Sequence, residues 1–317
     1  MTQKTKIEYN DYDWNIVIIK FIATFFVLNS HMNICYPKFA FLATGGGIGN
    51  TLFFFASGFT IFLGRETNFF DYYKRRISRI YPAVIAMALI SCIIWNNQSN
   101  FIRSLSNAWF INCIMVYYIL LWICRKLKFN LIVAIVFFTI IGIGILLYFN
   151  DFSVGIIYGN RTLRYFIYFP FMLFGSFIGL YRKKFCYKNY HVLMVIIFFG
   201  LWYFFNSFKN ELQVFSLLVL FPFLYYLYLC GNSNFIQKVI SNKYCKTIIV
   251  FCGGLCLEVY LIQFNLITSK FNNIFPLNIA LIFIIVISAA YFLHIFSRLI
   301  LQTFQDHPYS VKEMLKV

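Results

Sequence analysis

Two basic side chains eleven residues apart in one apolar run, Lys20 and His31, are the first groups in this chain that could do chemistry. At 3.6 residues per turn they fall within roughly 20° of one helix face and about 16 Å apart along its axis. An imidazole titrates near neutral pH and can take or return a proton, while a cation on the same face can draw an anion along the path towards it. The same residues also read as a snorkelling lysine and a hydrogen-bonded structural histidine. Glu258, in the segment GGLCLEVYLIQF with Tyr260 and Gln263, is the only acidic residue inside a long apolar run. A proton relay, an orienting partner for an imidazole and half of a buried ion pair are all open to it.

A second kind of chemistry lies in FFDYYKRRISRIYP, where Arg76 and Arg79 are about one turn apart if the segment is helical. Two guanidinium forks on one side could clamp the phosphates of coenzyme A or a nucleotide, although basic residues here also serve membrane topology. Pro82 follows, at a position suited to the start of a new helix. Upstream, GGGIGNTLFFFASGF combines Gly45, Gly46, Gly47 and Gly49 with Ser57 and Gly58. Such a segment can receive an anion at a helix start or simply let helices pack closely.

The elements that must position these groups are membrane helices. Of 317 residues, 61% are hydrophobic and 12% charged, with a mean hydropathy of +0.75. That is far more apolar than a soluble domain. The net charge of +17 sits in short clusters between apolar runs, not along one polar face, which argues against a nucleic-acid partner. Ten runs of spanning or near-spanning length appear: 14–33, 48–64, 82–95, 108–124, 129–149, 163–181, 190–205, 214–230, 247–268 and 277–301. The third is the shortest. With both termini cytoplasmic, 20 of the 27 Lys and Arg residues fall in cytoplasmic segments and six on the opposite side, with Lys20 inside a span. That asymmetry is what insertion imposes. The first run lacks a cleavage site and is expected to be retained. No loop is long enough for a separate domain, so residues 1–317 are expected to form one transmembrane domain. The nine cysteines include no CxxC pair, and Cys252 and Cys256 share a helix face without further ligands, so they read as small buried hydrophobes and no metal is expected.

At four places the chain resembles the acyltransferase-3 family of bacterial multi-pass membrane acyltransferases. Lys20-FIATFFVLNS-His31 resembles the family's Arg, ten residues, His. Phe53-Phe54-Phe55-Ala56-Ser57-Gly58-Phe59 resembles FF-x-x-SGF. Arg76-Ile77-Ser78-Arg79 with Pro82 resembles its RxxR and Pro segment, and Cys256 to Gln263 resembles a late S-x-E-x-YL-x-H segment. The departures are Lys20 where Arg is usual, Cys256 where Ser is usual, and Gln263 where many members have His. Lysine keeps the charge but loses the planar fork, and glutamine cannot titrate. The resemblance implies ten core helices in a bacterial cytoplasmic membrane. It implies transfer of an acyl group, commonly acetyl from acetyl-CoA, to a hydroxyl of a cell-surface polysaccharide or its lipid-linked precursor. His31 becomes the catalytic group, as general base or transient proton relay, with Glu258 orienting or charge-balancing it. Lys20, Arg76, Arg79, Ser57 and Tyr260 become the donor- and substrate-binding set. Acetyl-CoA enters as a substrate, with no tightly bound cofactor. Two other readings stay open: a glycan or lipid transporter, and a different membrane O-acyltransferase family in which a late histidine such as His294 would act.

Overall fold

The computed structural model describes residues 13–95, 109–148, 161–207, 213–305 and 308–317, and over these residues the chain is helical with no strand. In chain order the α-helices are α1 (Trp14–Ser30), α2 (Gly46–Phe62), α3 (Phe69–Trp95), α4 (Trp109–Lys126), α5 (Leu131–Tyr148), α6 (Arg161–Ile167) and α7 (Phe169–Tyr181). They continue as α8 (Tyr190–Ser207), α9 (Gln213–Cys230), α10 (Asn234–Ser241), α11 (Lys243–Gly254), α12 (Cys256–Leu266), α13 (Leu277–Thr303) and a last turn, α14 (Val311–Met314).

The interior is built around α1, α2 and α7, whose side chains are mostly buried. Asp13 starts α1 by accepting a hydrogen bond from the Asn15 amide at 3.1 Å. The outer helices show the opposite pattern to a water-soluble bundle. Val133 and Ile140 on α5, Ile196 on α8, and Ile284 and Phe292 on α13 are exposed, while Thr24, Ser176, Glu258 and His294 are buried. An apolar rind around a partly polar interior is stable in hydrocarbon and not in water. α3, α4, α8 and α13 are long and apolar enough to cross a bilayer, and the bent pairs α9–α10 (57°) and α11–α12 (73°) bring that number to as many as six. α1 and α5 are apolar but shorter. The chain is a multi-pass membrane protein.

α2 packs directly against α7. A methyl group at Gly58 would overlap the backbone of Met172, and one at Gly175 the backbone of Phe55. Ser176 Oγ, buried between them, donates to the Gly58 carbonyl at 3.1 Å. Gly58 of the Ser-Gly pair therefore serves packing, as small residues commonly do between membrane helices.

Three expectations are corrected. The segment carrying Arg76 and Arg79 does not precede a helix starting at Pro82; it is the first half of α3, and Pro82 lies inside it. The start signal is further back, where Asn68 Oδ1 accepts from the Asp71 amide at 2.8 Å and Asn68 Nδ2 donates to the Asp71 carboxylate at 2.9 Å. The shortest expected span thus becomes one of the two longest helices, each of 27 residues. The sixth run is divided at Tyr168 into α6 and α7, ahead of Pro170. The ninth is divided at Leu255, after Gly253 and Gly254, where a methyl group would press on the α1 backbone at Gly253 and on the Val317 side chain at Gly254.

Candidate active site

α1 ends at Ser30, which makes His31 its C-terminal cap and places the imidazole in the wall of a cavity of about 300 Å³. The cavity collects Ser30 and His31 from α1, Thr44 to Gly47 and Asn50 from the start of α2, Trp109 from α4 and Arg164 from α6. Trp202 and Asn206 come from α8, and Tyr260 and Phe264 from α12. His31 is half-buried, its ring 4.5 Å from that of Phe264 and tilted by 58°. Arg164 stands over the Trp109 ring, 4.4 Å from its centre, and acts electrostatically on both His31 and Tyr260. No Asp or Glu lines the cavity among the described residues.

A basic cluster lies further along α1. Arg76 faces the rings of Tyr72 and Tyr118, at 5.3 and 5.8 Å. The Tyr72 hydroxyl donates to the Tyr118 carbonyl at 3.1 Å, and the Tyr118 phenol is in turn within hydrogen-bonding reach of Ser57. Arg79 acts electrostatically on Tyr118 and on Lys20. No carboxylate pairs with Lys20, Arg76 or Arg79 among the described residues. Arg76 Nε is moreover enclosed without a hydrogen-bond acceptor there. Lys20 and Arg76, partly buried, with the exposed Arg79 acting on Lys20 and no acid paired with them among the described residues, suit a polyanion such as a set of phosphates.

α1 and α12 run side by side and in the same direction between these two places. At one end the Cys256 thiol donates to the Lys20 carbonyl at 3.2 Å and meets the Thr24 hydroxyl; at the other His31 meets Phe264. Tyr260 lies between these levels, one turn beyond Cys256, with its ring 5.1 Å from that of Phe110. The eleven-residue spacing of Lys20 and His31 therefore measures the distance from the basic cluster to the cavity, about 16 Å along α1.

The family model described as an acyltransferase domain, that of the acyltransferase-3 family, matches residues 13–295. The chain belongs to the acyltransferase-3 family. No curated protein and no solved structure matches it. Membership assigns the general activity, acyl transfer by a membrane protein, and the residues that sequence reasoning drew from the family resemblance can now be placed. His31 and Tyr260 share the cavity; Lys20, Arg76, Arg79 and, through Tyr118, Ser57 share the basic cluster.

Glu258 belongs to neither place, which corrects the expectation that it orients His31. Its Oε1 is 2.9 Å from Nδ1 of His294, both side chains being buried, and His294 Nε2 is 3.1 Å from the Lys316 carbonyl. The imidazole that Glu258 meets is therefore His294, in a buried pair tied to the tail through Lys316. Sequence reasoning leaves Arg161 and Arg164, at the outer end of the sixth run, between holding an acidic glycan and interfacial anchoring; Arg164 stands in the cavity wall, and the Arg161 side chain lies outside the described residues. It missed Trp109, Trp202, Asn206 and Phe264 altogether. These come from three helices other than α1 and share no spacing with His31, so only the packing of the helices brings them together with it.

Proposed function

We propose that this acyltransferase-3 protein is an O-acyltransferase that moves an acyl group, in the simplest case acetyl from acetyl-CoA, to a hydroxyl of a cell-surface polysaccharide or its lipid-linked precursor. The observation that carries this reading is the pairing of an acid-free basic cluster with a histidine-bearing cavity at the two ends of one helix. Arg76, Arg79 and Lys20 would hold the donor's phosphates, leaving the extended pantetheine arm to follow α1 towards His31. His31 would take the acceptor hydroxyl's proton as it attacks the thioester carbonyl and pass it to the departing thiolate. Trp109 and Tyr260 offer aromatic surface for a sugar ring, and Asn50 offers an amide for its hydroxyls. On this reading all ten apolar runs would cross a bacterial cytoplasmic membrane with both termini cytoplasmic, so that the donor cluster would face the side where coenzyme A thioesters are made. Inner helices such as α1 and α2, about 25 Å long, would be shielded by longer neighbours and need not reach the headgroups.

The test is mass spectrometry of surface glycans from cells carrying the wild-type chain, no chain, or His31→Ala at matched membrane abundance. An acyl mass lost in both deficient strains is the expected result. Identical glycans in all three would reject the glycan acceptor, and a glycan that fails to be exported without losing an acyl group would point to transport.

A further inference from the structure

The cavity beside His31 is walled by hydrogen-bond donors. α2 begins there, capped by Gly45 in the left-handed region (φ 100°), which has no side chain to satisfy the amides that follow. The first amide to bond back is that of Gly49, to the Gly45 carbonyl at 2.8 Å, so the Gly46 and Gly47 N–H groups, both in the cavity wall, precede the helix ladder. A methyl group at Gly46 would lie 2.8 Å from Ser30 Oγ, so the bare backbone lets this helix end press against the last turn of α1, next to His31. The Ser30 hydroxyl is already committed, donating to the Val27 carbonyl at 2.8 Å. A second, independent observation comes from α8. Trp202, also in the wall, is 1% exposed, and its indole N–H is enclosed with no acceptor among the described residues. A buried tryptophan N–H ordinarily finds a partner, and one left unmade in the protein is held for something else or carries a penalty.

We infer that the Gly46 and Gly47 amides and the Trp202 indole N–H form an oxyanion site for the thioester carbonyl. The inference rests on the acyl-transfer reading above. As the acceptor oxygen bonds to the carbonyl carbon and His31 takes its proton, the carbonyl π pair moves onto oxygen, and these donors receive that charge. When the C=O bond re-forms, the C–S bond breaks and the thiolate leaves with the proton from His31. The end of a helix and a neutral N–H in an acid-free cavity stabilise such a charge better than they stabilise the neutral carbonyl.

Two changes remove donors with little change of shape: 3-benzothienylalanine for Trp202, which puts sulfur in place of the N–H, and an ester in place of the Gly47 amide. The purified full-length protein is titrated with acetonyl-CoA, which carries a carbonyl but no bond to break, and with ethyl-CoA, which carries none. Release of free thiol from acetyl-CoA is followed in membranes containing the cell's own acceptor. The wild type should bind acetonyl-CoA more tightly than ethyl-CoA, and each change should erase that difference while leaving ethyl-CoA affinity unaltered. Turnover should fall on the order of 100-fold per donor with KM for acetyl-CoA little changed. An undiminished preference for acetonyl-CoA in both altered proteins overturns the oxyanion site while leaving acyl transfer standing. A wild type that binds neither analogue and releases no thiol overturns the acyl-CoA reading, and this inference with it.

Discussion

Adding a single methyl group at Gly58 or Gly175 tests whether the Ser-Gly pair of α2 is a packing device. At both positions the new atom would meet backbone of the facing helix, Met172 for Gly58 and Phe55 for Gly175, and backbone cannot rotate away as a side chain can. α2 and α7 would have to separate, at about 1–3 kcal/mol for overpacking, and would strain the Ser176 hydrogen bond to Gly58, worth about another 1 kcal/mol. Alanine regains roughly 1 kcal/mol of helix propensity over glycine, leaving a net loss of about 1–3 kcal/mol per site. Gly144 on α5 and Gly200 on α8 are matched controls, because a methyl group there meets nothing within 4 Å. Gly144→Ala and Gly200→Ala should therefore gain up to about 1 kcal/mol. Reversible unfolding of the four variants in one mild detergent, followed by helical circular dichroism, reads the difference directly. Gly58→Ala and Gly175→Ala falling with the two controls would refute the α2–α7 interface, and with it the assignment of Gly58 to packing.

The remaining expectations concern charge. Arg76→Ala combined with Arg79→Ala should weaken coenzyme A binding on the order of 100-fold or more, since charge-assisted hydrogen bonds contribute about 1.5–3 kcal/mol each, while affinity for pantetheine, which lacks the nucleotide phosphates, stays unchanged; equal loss for both ligands would return these arginines to topology alone. His294→Ala leaves the buried Glu258 carboxylate without its partner and should cost about 3–5 kcal/mol in unfolding experiments, whereas replacing both Glu258 and His294 by Leu should recover most of it. A double variant as unstable as the single one would show that the pair does more than neutralise itself.

Which parts of the fold could be read from the sequence follows from what hydropathy records. It records apolar length along one segment, so most of the ten runs overlap described helices. It does not record where a helix starts in polar sequence, and α3 therefore escaped: its first 13 residues, Phe69 to Tyr81, include Arg75, Arg76 and Arg79 and look like a loop. The Asn68–Asp71 cap was the available signal, and it outweighed Pro82, whose missing N–H removes one bond from a helix held by many. Nor does hydropathy record a bend inside an apolar run, which is why the break at Leu255 was invisible although the glycines beside it were in view.

The site divides along the same line. What lies on one helix was legible: Lys20 and His31 needed only the helical repeat to be placed on one face, and Arg76 and Arg79 likewise. What depends on the meeting of helices was not. Glu258 illustrates this most sharply, because the sequence offers more than one imidazole and nothing in the spacing distinguished His31 from His294. The bend between α11 and α12 decides it: α12 sets out from Lys20 at Cys256 and reaches His31 only at Phe264, so Glu258, two residues in, sits about two turns short of His31 and bonds to α13 instead. Among the described residues His31 is thereby left without a neighbouring carboxylate, in a cavity whose one named charge is the Arg164 cation. On the acyl-transfer reading proposed above, a base in such a place would return its proton at once, and the thiolate that leaves in the same turnover is the group that can take it.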